Sequence, residues 1–180
     1  MSGNPLLTTA SFPALRSAAG GLEIENNATL TTLELPLLEE VRNDVLRITG
    51  NPLDDLALPR LTCARTFEIG GVAGGAISAP LLAEVIGRAT IAGNPGATAI
   101  DLGALAHVGD SVVSDLRIAD NARVAALIAP ALRTIAGQLY ITNNPHLPQC
   151  QAVAIRDQLT SIAIGGGTFL SGNDEAATCP

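Results

Sequence analysis

The chain has no lysine and no tryptophan, and its 180 residues include only one Tyr, three Phe and one Met. A globular core of this length normally draws on large rings; here the apolar side chains are mostly Leu, Ile, Val and Ala, which suit a narrow interior of repeated layers. Positive charge is scarce: ten residues carry it, all of them Arg, against seventeen acids, for a net charge of −7. A nucleic-acid surface needs a basic excess, so that class of partner is excluded. No apolar run approaches the roughly 20 residues that cross a bilayer. Met1-Ser2-Gly3 leads straight into repeat material without a charged and then apolar leader.

What the chain does have is glycine (18), proline (11) and a repeat. An apolar-x-Ile triplet recurs at Leu22/Ile24, Leu46/Ile48, Phe67/Ile69, Ala89/Ile91, Leu116/Ile118 and Leu139/Ile141, with the Ile positions 24, 21, 22, 27 and 23 residues apart. Three residues after each Ile stands Asn27, Asn51, Val72, Asn94, Asn121 or Asn144, and Asn4 fills the same place in the first, incomplete unit. A second anchor follows at Phe12-Pro13, Leu35-Pro36, Leu58-Pro59, Ala79-Pro80, Leu102-Gly103 and Ala129-Pro130, and a Leu always comes two residues after the Pro or Gly. Periods of this length mark stacked arrays.

Alternating apolar residues make a short strand with one face inward. No stretch within a unit has the length or the 3.6-residue period of a helix. Proline cannot continue a central ladder and so ends the second strand. Asn tolerates left-handed backbone and bonds neighbouring backbone groups, which places it at a corner, where Asn over Asn in successive turns gives an internal hydrogen-bond ladder. One unit cannot bury its own apolar side, but stacked units can. The expected architecture is therefore mainly β: a β-solenoid of about seven turns of roughly 22 residues.

In these residues the chain resembles the receptor L-domain-like repeats, relatives of the leucine-rich repeats found in receptor ectodomains, fungal cell-wall proteins and bacterial surface proteins. The matching stretches include Gly21–Asn27, Leu46–Pro52 and Gly137–Pro145, and the resemblance runs from Gly3 to about Leu147. It implies a right-handed solenoid and an extracellular or cell-surface setting, and it specifies a scaffold rather than a function. Two units depart from the pattern: Gly70–Gly75 replaces the Asn corner, and an insertion around Ser111–Asp115 lengthens another turn.

The single domain is expected to divide into a repeat solenoid, residues 1–147, and a C-terminal cap, residues 148–180. Pro148–Leu159 reads as a helix with Val153, Ile155 and Leu159 inward, Thr160–Ile164 as a final strand, and Gly172–Pro180 as a polar tail. The N-terminal edge shows no such cap; either sequence precedes it, or it pairs with another copy. Cys150 and Cys179 flank the cap and are expected to form a disulfide in an exported protein; in a reducing cytoplasm all three thiols stay free. Cys63 stands where other units carry Ser17, Glu40, Glu84, His107 and Thr134, so it is expected near the surface.

Candidate chemistry is sparse. His107 and His146 fall at different repeat positions and read as solvated or turn residues, and neither joins a metal-ligand cluster. The acidic pairs Glu39-Glu40 and Asp54-Asp55 admit a carbohydrate-active β-helix reading, though solvated turn acids are commoner. Gly70–Gly75 and Gly165–Gly167 lack the Lys-Ser/Thr of a phosphate loop. The residue after the Ile runs Glu25, Thr49, Gly70, Ala92, Ala119, Thr142, which is not the Thr array of an ice-binding face. The informative surface is the outward residue within each triplet: Glu23, Arg47, Glu68, Thr90, Arg117 and Tyr140. In-register stacking puts these in one column, able to set register through alternating charge or to bind a ligand. The expected function is non-catalytic: an extracellular or cell-surface module for ligand recognition, adhesion or envelope structure, with a protein or glycan partner, no cofactor and no membrane span. The alternative is a rod that self-assembles through its N-terminal edge.

Overall fold

The computed structural model describes residues 1–159 and 163–179. Its strands stack as a parallel β-solenoid of about six turns with one short helix near the C-terminus. Each turn passes through three faces. Face I carries the apolar-x-Ile strands, such as Leu22–Glu25, Ala89–Ala92, Leu116–Ala119 and Leu139–Thr142. Face II carries strands such as Thr32–Glu34, Ala76–Ser78, Ala99–Asp101 and Ala126–Ile128. Face III carries the short Glu84–Val85, His107–Val108 and Thr134–Ile135. Glu40–Thr49 and Cys63–Ile69 run unbroken from face III into face I, which joins these two faces in one sheet.

Register follows the repeat. Ile24, Ile48, Ile69, Ile91, Ile118 and Ile141 lie in one column, and all six are buried. The inward residues of faces II and III, such as Leu33, Leu56, Ile77 and Ile100 or Val41, Ala64, Val85 and Val108, complete one continuous core. Period-two alternation thus puts half of every strand inside, and stacking closes the layers that no single turn could close.

The Asn corner lies between faces I and II. The residue before each corner position takes left-handed backbone in every turn: Gly3, Asn26, Gly50, Gly71, Gly93, Asp120, Asn143 and Gly172. Only Gly, Asn and Asp adopt this conformation cheaply, and Gly50 is also pressed by its neighbour, since a Cβ there would lie 2.5 Å from Asn26 Oδ1. The corner side chains then point inward and bond to one another. Nδ2 of Asn121 donates to Asn144 Oδ1 at 3.0 Å and to the Ile91 carbonyl at 3.1 Å, and the Asn121 backbone N–H also donates to Asn144 Oδ1. The same pattern links Asn4 to Asn27, Asn27 to Asn51, Asn94 to Asn121, and Asn144 to Asn173. Val72 interrupts it: its own N–H reaches Asn94 Oδ1, but it offers no oxygen to Asn51, whose Nδ2 keeps its bond to the Ile24 carbonyl and turns to that of Thr49.

The helix spans Gln149–Gln158, with Pro148 at its N-cap. It occupies the place of the face II strand in the last turn. Gln151 Oε1 accepts from the Leu127 N–H, and the amides of Gln151 and Gln158 donate to the Ala125 and Ala129 carbonyls. Glutamine side chains thereby satisfy the edge groups that a next strand would have paired. Inward positions are Ala152, Ile155 and Leu159; Val153 is only half-buried, because a 3.6-residue period puts 152, 155 and 159 on one stripe.

The final strand is Thr168–Ser171, paired with Leu139–Thr142 on face I, rather than Thr160–Ile164. Of the expected stretch, residues 160–162 lie outside the described residues, and Ile164 makes a single bridge to Ile135. Leu170 takes the Ile position and Asn173 the corner. The tail after it is tied back: the Gln149 N–H donates to the Asp174 carbonyl, and Cys150 and Cys179 are joined by a disulfide.

Candidate functional site

Face I brings Glu23, Arg47, Glu68, Thr90, Arg117 and Tyr140 into one outward column, each directly across from the next. Phe169 extends it by one strand. With strands about 4.8 Å apart, the seven side chains span about 29 Å. Phe169 escapes the repeat signature because Thr168 stands where the other triplets begin with an apolar residue; the signal that could reveal it is Leu170, three residues before Asn173.

The column has two characters. Toward the N-terminus it is ionic. Arg47 Nη1 donates to Glu23 Oε2 at 2.8 Å, Arg47 Nε to Glu68 Oε2 at 2.6 Å, and Glu25 stands 3.8 Å from the same nitrogen. The hydrogen bond to Glu68 holds the Arg47 guanidinium above its ordinary pKa, against the opposing effect of desolvation. Toward the C-terminus the column is aromatic. Tyr140 and Phe169 stack with centroids 4.7 Å apart and planes 10° apart, and the Arg117 guanidinium carbon lies 5.9 Å from the Tyr140 centroid. Tyr140 therefore has a cation on one side and a ring on the other; its hydroxyl donates to Gln138 Oε1. Arg117 also approaches Asp120 at 3.4 Å. Thr90, between the two groups, is the shortest side chain in the column.

Beside this ridge runs a lower strip. Beyond Glu25, the residue after each Ile is Thr49, Gly70, Ala92, Ala119, Thr142 and Ser171 (after Leu170) in successive turns, of which Gly70 and Ala119 are buried. A ridge of long side chains flanking a shelf of small ones suits an elongated ligand lying along the solenoid axis.

The remaining candidates are dispersed. His107 lies in the face III strand rather than in a turn, exposed, with Nδ1 2.7 Å from Thr134 Oγ1; His146 Nδ1 lies 2.7 Å from the Ala122 carbonyl. Glu39 pairs with Arg16 and Glu40 with Arg42, while Asp54 and Asp55 are exposed. Cys63 is buried at 2% exposure, contrary to its expected surface place. Opposite Arg65 the neighbouring strand bulges between Val41 and Val45, and Glu40 and Glu84 stand on either side of the thiol. Burial raises the thiol pKa, and Glu84 and Glu40 reinforce this against Arg42. Among the described residues, no three His, Cys, Asp or Glu converge as metal ligands, and no helix is long and apolar enough to cross a membrane.

Comparison with protein-family models, with curated proteins and with solved structures finds no match to this chain.

Proposed function

We propose that this solenoid is a non-catalytic recognition module of an extracellular or cell-surface protein, and that its ligand lies along face I. The carrying observation is the in-register column from Glu23 to Phe169 beside its shelf of small residues. Repeat scaffolds bind through long surfaces of this kind. The cap disulfide supports an oxidising compartment, and the likeness to receptor L-domain-like repeats supports adhesion or ligand recognition over chemistry. The partner on this reading is a glycan or an extended protein segment, and no cofactor is required.

The test is binding of the purified chain to a panel of glycans and cell-envelope polymers, with solution mass recorded alongside. Saturable binding that is lost on replacing Arg47, Arg117 and Tyr140 in a folded chain supports the reading. A second reading rests on the other end of the rod. Leu6 is 90% exposed there, and Leu7, Phe12, Leu15 and Leu22 are only partly covered. Self-association through that end makes the mass grow with concentration, without any panel ligand.

A further inference from the structure

Face II is not one ladder. Leu56–Ala57, Ala76–Ser78, Ala99–Asp101 and Ala126–Ile128 form one sheet, and Thr9–Ser11 with Thr32–Glu34 form another; between Thr32–Glu34 and Leu56–Ala57 the pairing is lost. Four turns make the same bond at the end of this strand: the N–H of Phe12, Leu58, Ala79 and Leu102 donates to the carbonyl of Glu34, Ser78, Asp101 and Ile128 at 2.8–2.9 Å. The equivalent bond, from the Leu35 N–H to the Ala57 carbonyl, is not made, and the Leu35 N–H has no acceptor among the described residues. The gap coincides with a change in corner length: six residues separate Asn27 from the inward Leu33, and five separate Asn51 from Leu56.

The gap is a cleft of about 490 Å³, within the range of small-ligand sites. Leu35 and Ala57 line it, Glu34 and Asp55 stand on its two lips, and Pro36 and Pro59 close one end. Backbone donors and acceptors left open in this way require partners.

We infer that this cleft is a binding site, separate from face I, for a short neutral oligosaccharide. Two carboxylates and the carbonyl of exposed Ala57 accept hydrogen bonds from hydroxyls, the proline rings meet the C–H faces of a sugar, and the Leu35 N–H lies just beneath this surface, Leu35 being 1% exposed. An acidic ligand meets Glu34, Asp55 and a chain of net charge −7. A peptide strand cannot enter as a new ladder rung. The two turns are tied eight residues apart, by the Asp54 N–H on the Thr31 carbonyl at 2.9 Å and the Thr62 N–H on the Glu39 carbonyl at 2.8 Å, whereas an inserted strand needs about twice the 4.8 Å spacing.

The experiment is amide-resolved NMR on the purified chain, first alone and then with chitotriose, cellotriose, maltotriose, laminaritriose and mannotriose. Alone, the Leu35 amide is expected to exchange far faster than those of Leu58, Ala79 and Leu102. One or more of the trisaccharides is expected to shift the Leu35 and Ala57 signals saturably and to slow Leu35 exchange. Glu34→Gln and Asp55→Asn each weaken that binding about tenfold; Ala57→Leu abolishes it, and Ala99→Leu, two strands beyond Asp55, leaves it unchanged. Slow Leu35 exchange in the free chain overturns the proposal, because the ladder is then closed. So does a Leu35 amide that no trisaccharide protects, or a set of shifts confined to Arg117 and Tyr140.

Discussion

Nε of Arg47 lies 2.6 Å from Oε2 of Glu68 one turn away, while Nη1 of the same guanidinium reaches back to Glu23 at 2.8 Å. One side chain therefore fastens three consecutive turns. Arg47→Glu replaces both bonds with repulsion from Glu23, Glu25 and Glu68. Cross-strand charge pairs contribute about 0.2–1 kcal/mol each, so the expected loss is about 1–2 kcal/mol, or several degrees in Tm. Thermal melts at low and high salt check this: the loss shrinks in 1 M NaCl. An unchanged Tm at low salt removes the column from the list of stabilising features.

Val72 is the one corner residue that breaks the amide ladder. Val72→Asn supplies an oxygen for Asn51 and places an Nδ2 beside Asn94 Oδ1, so a gain of about 1 kcal/mol is expected. The reverse change, Asn121→Ala, strands donors and acceptors in a fully buried corner and costs about 2–4 kcal/mol. Denaturant melts of both variants decide the matter; a Val72→Asn chain less stable than the parent rules out a simple ladder.

The Cys63 thiol is raised mainly by burial. In the native chain it is expected to resist alkylation at pH 8, where an exposed thiol reacts readily, and its rate rises only above the ordinary thiol range. The unfolded chain releases the proton first, so this group's contribution to stability is intact below the ordinary thiol pKa and declines as pH climbs through the folded value. Fast labelling of the native protein at pH 8 is the contrary result.

Reduction of Cys150–Cys179 opens a loop of 29 residues, worth about 3–4 kcal/mol on the chain-entropy account. Melts with and without dithiothreitol are expected to differ accordingly, and Cys150→Ala with Cys179→Ala reproduces the reduced curve. Coincident curves show that the tail adds nothing to the cap.

Gln151→Ala leaves the Leu127 N–H and the Ala125 carbonyl without the groups that close the face II edge. The expected cost is about 1–2 kcal/mol, with faster amide exchange confined to Ala126–Ile128. Uniform exchange along face II instead means that water serves the edge equally well.

The solenoid, its corner amides and the outward column were legible because each depends on a spacing that the chain repeats: Ile, then Asn three residues on, with an odd position turned to solvent. What escaped depends on single departures from that spacing. Thr168 and Leu170 hide the last strand from an apolar-x-Ile search, and with it Phe169. Cys63 is buried although Ser17, Glu84, His107 and Thr134, its equivalents in other turns, are exposed, so its repeat position does not report its burial. One residue fewer between Asn51 and Leu56 accompanies the opening of face II, although the opposite change between Ile77 and Ile100 leaves that ladder intact.

Most junctions between neighbouring turns are crossed by four rows of hydrogen bonds, three of backbone and one of corner amides. The junction at Glu34 and Leu56 lacks a backbone row, and the next, at Asn51 and Val72, lacks the amide row. Under tension along the axis these two adjacent junctions yield first. The molecule then behaves as two springs in series, joined through the single turn of Asn51: an N-terminal block with Asn4 and Asn27, and a stiffer C-terminal block whose four amides end on Gln149 Oε1 and whose tail is clamped by a covalent bond.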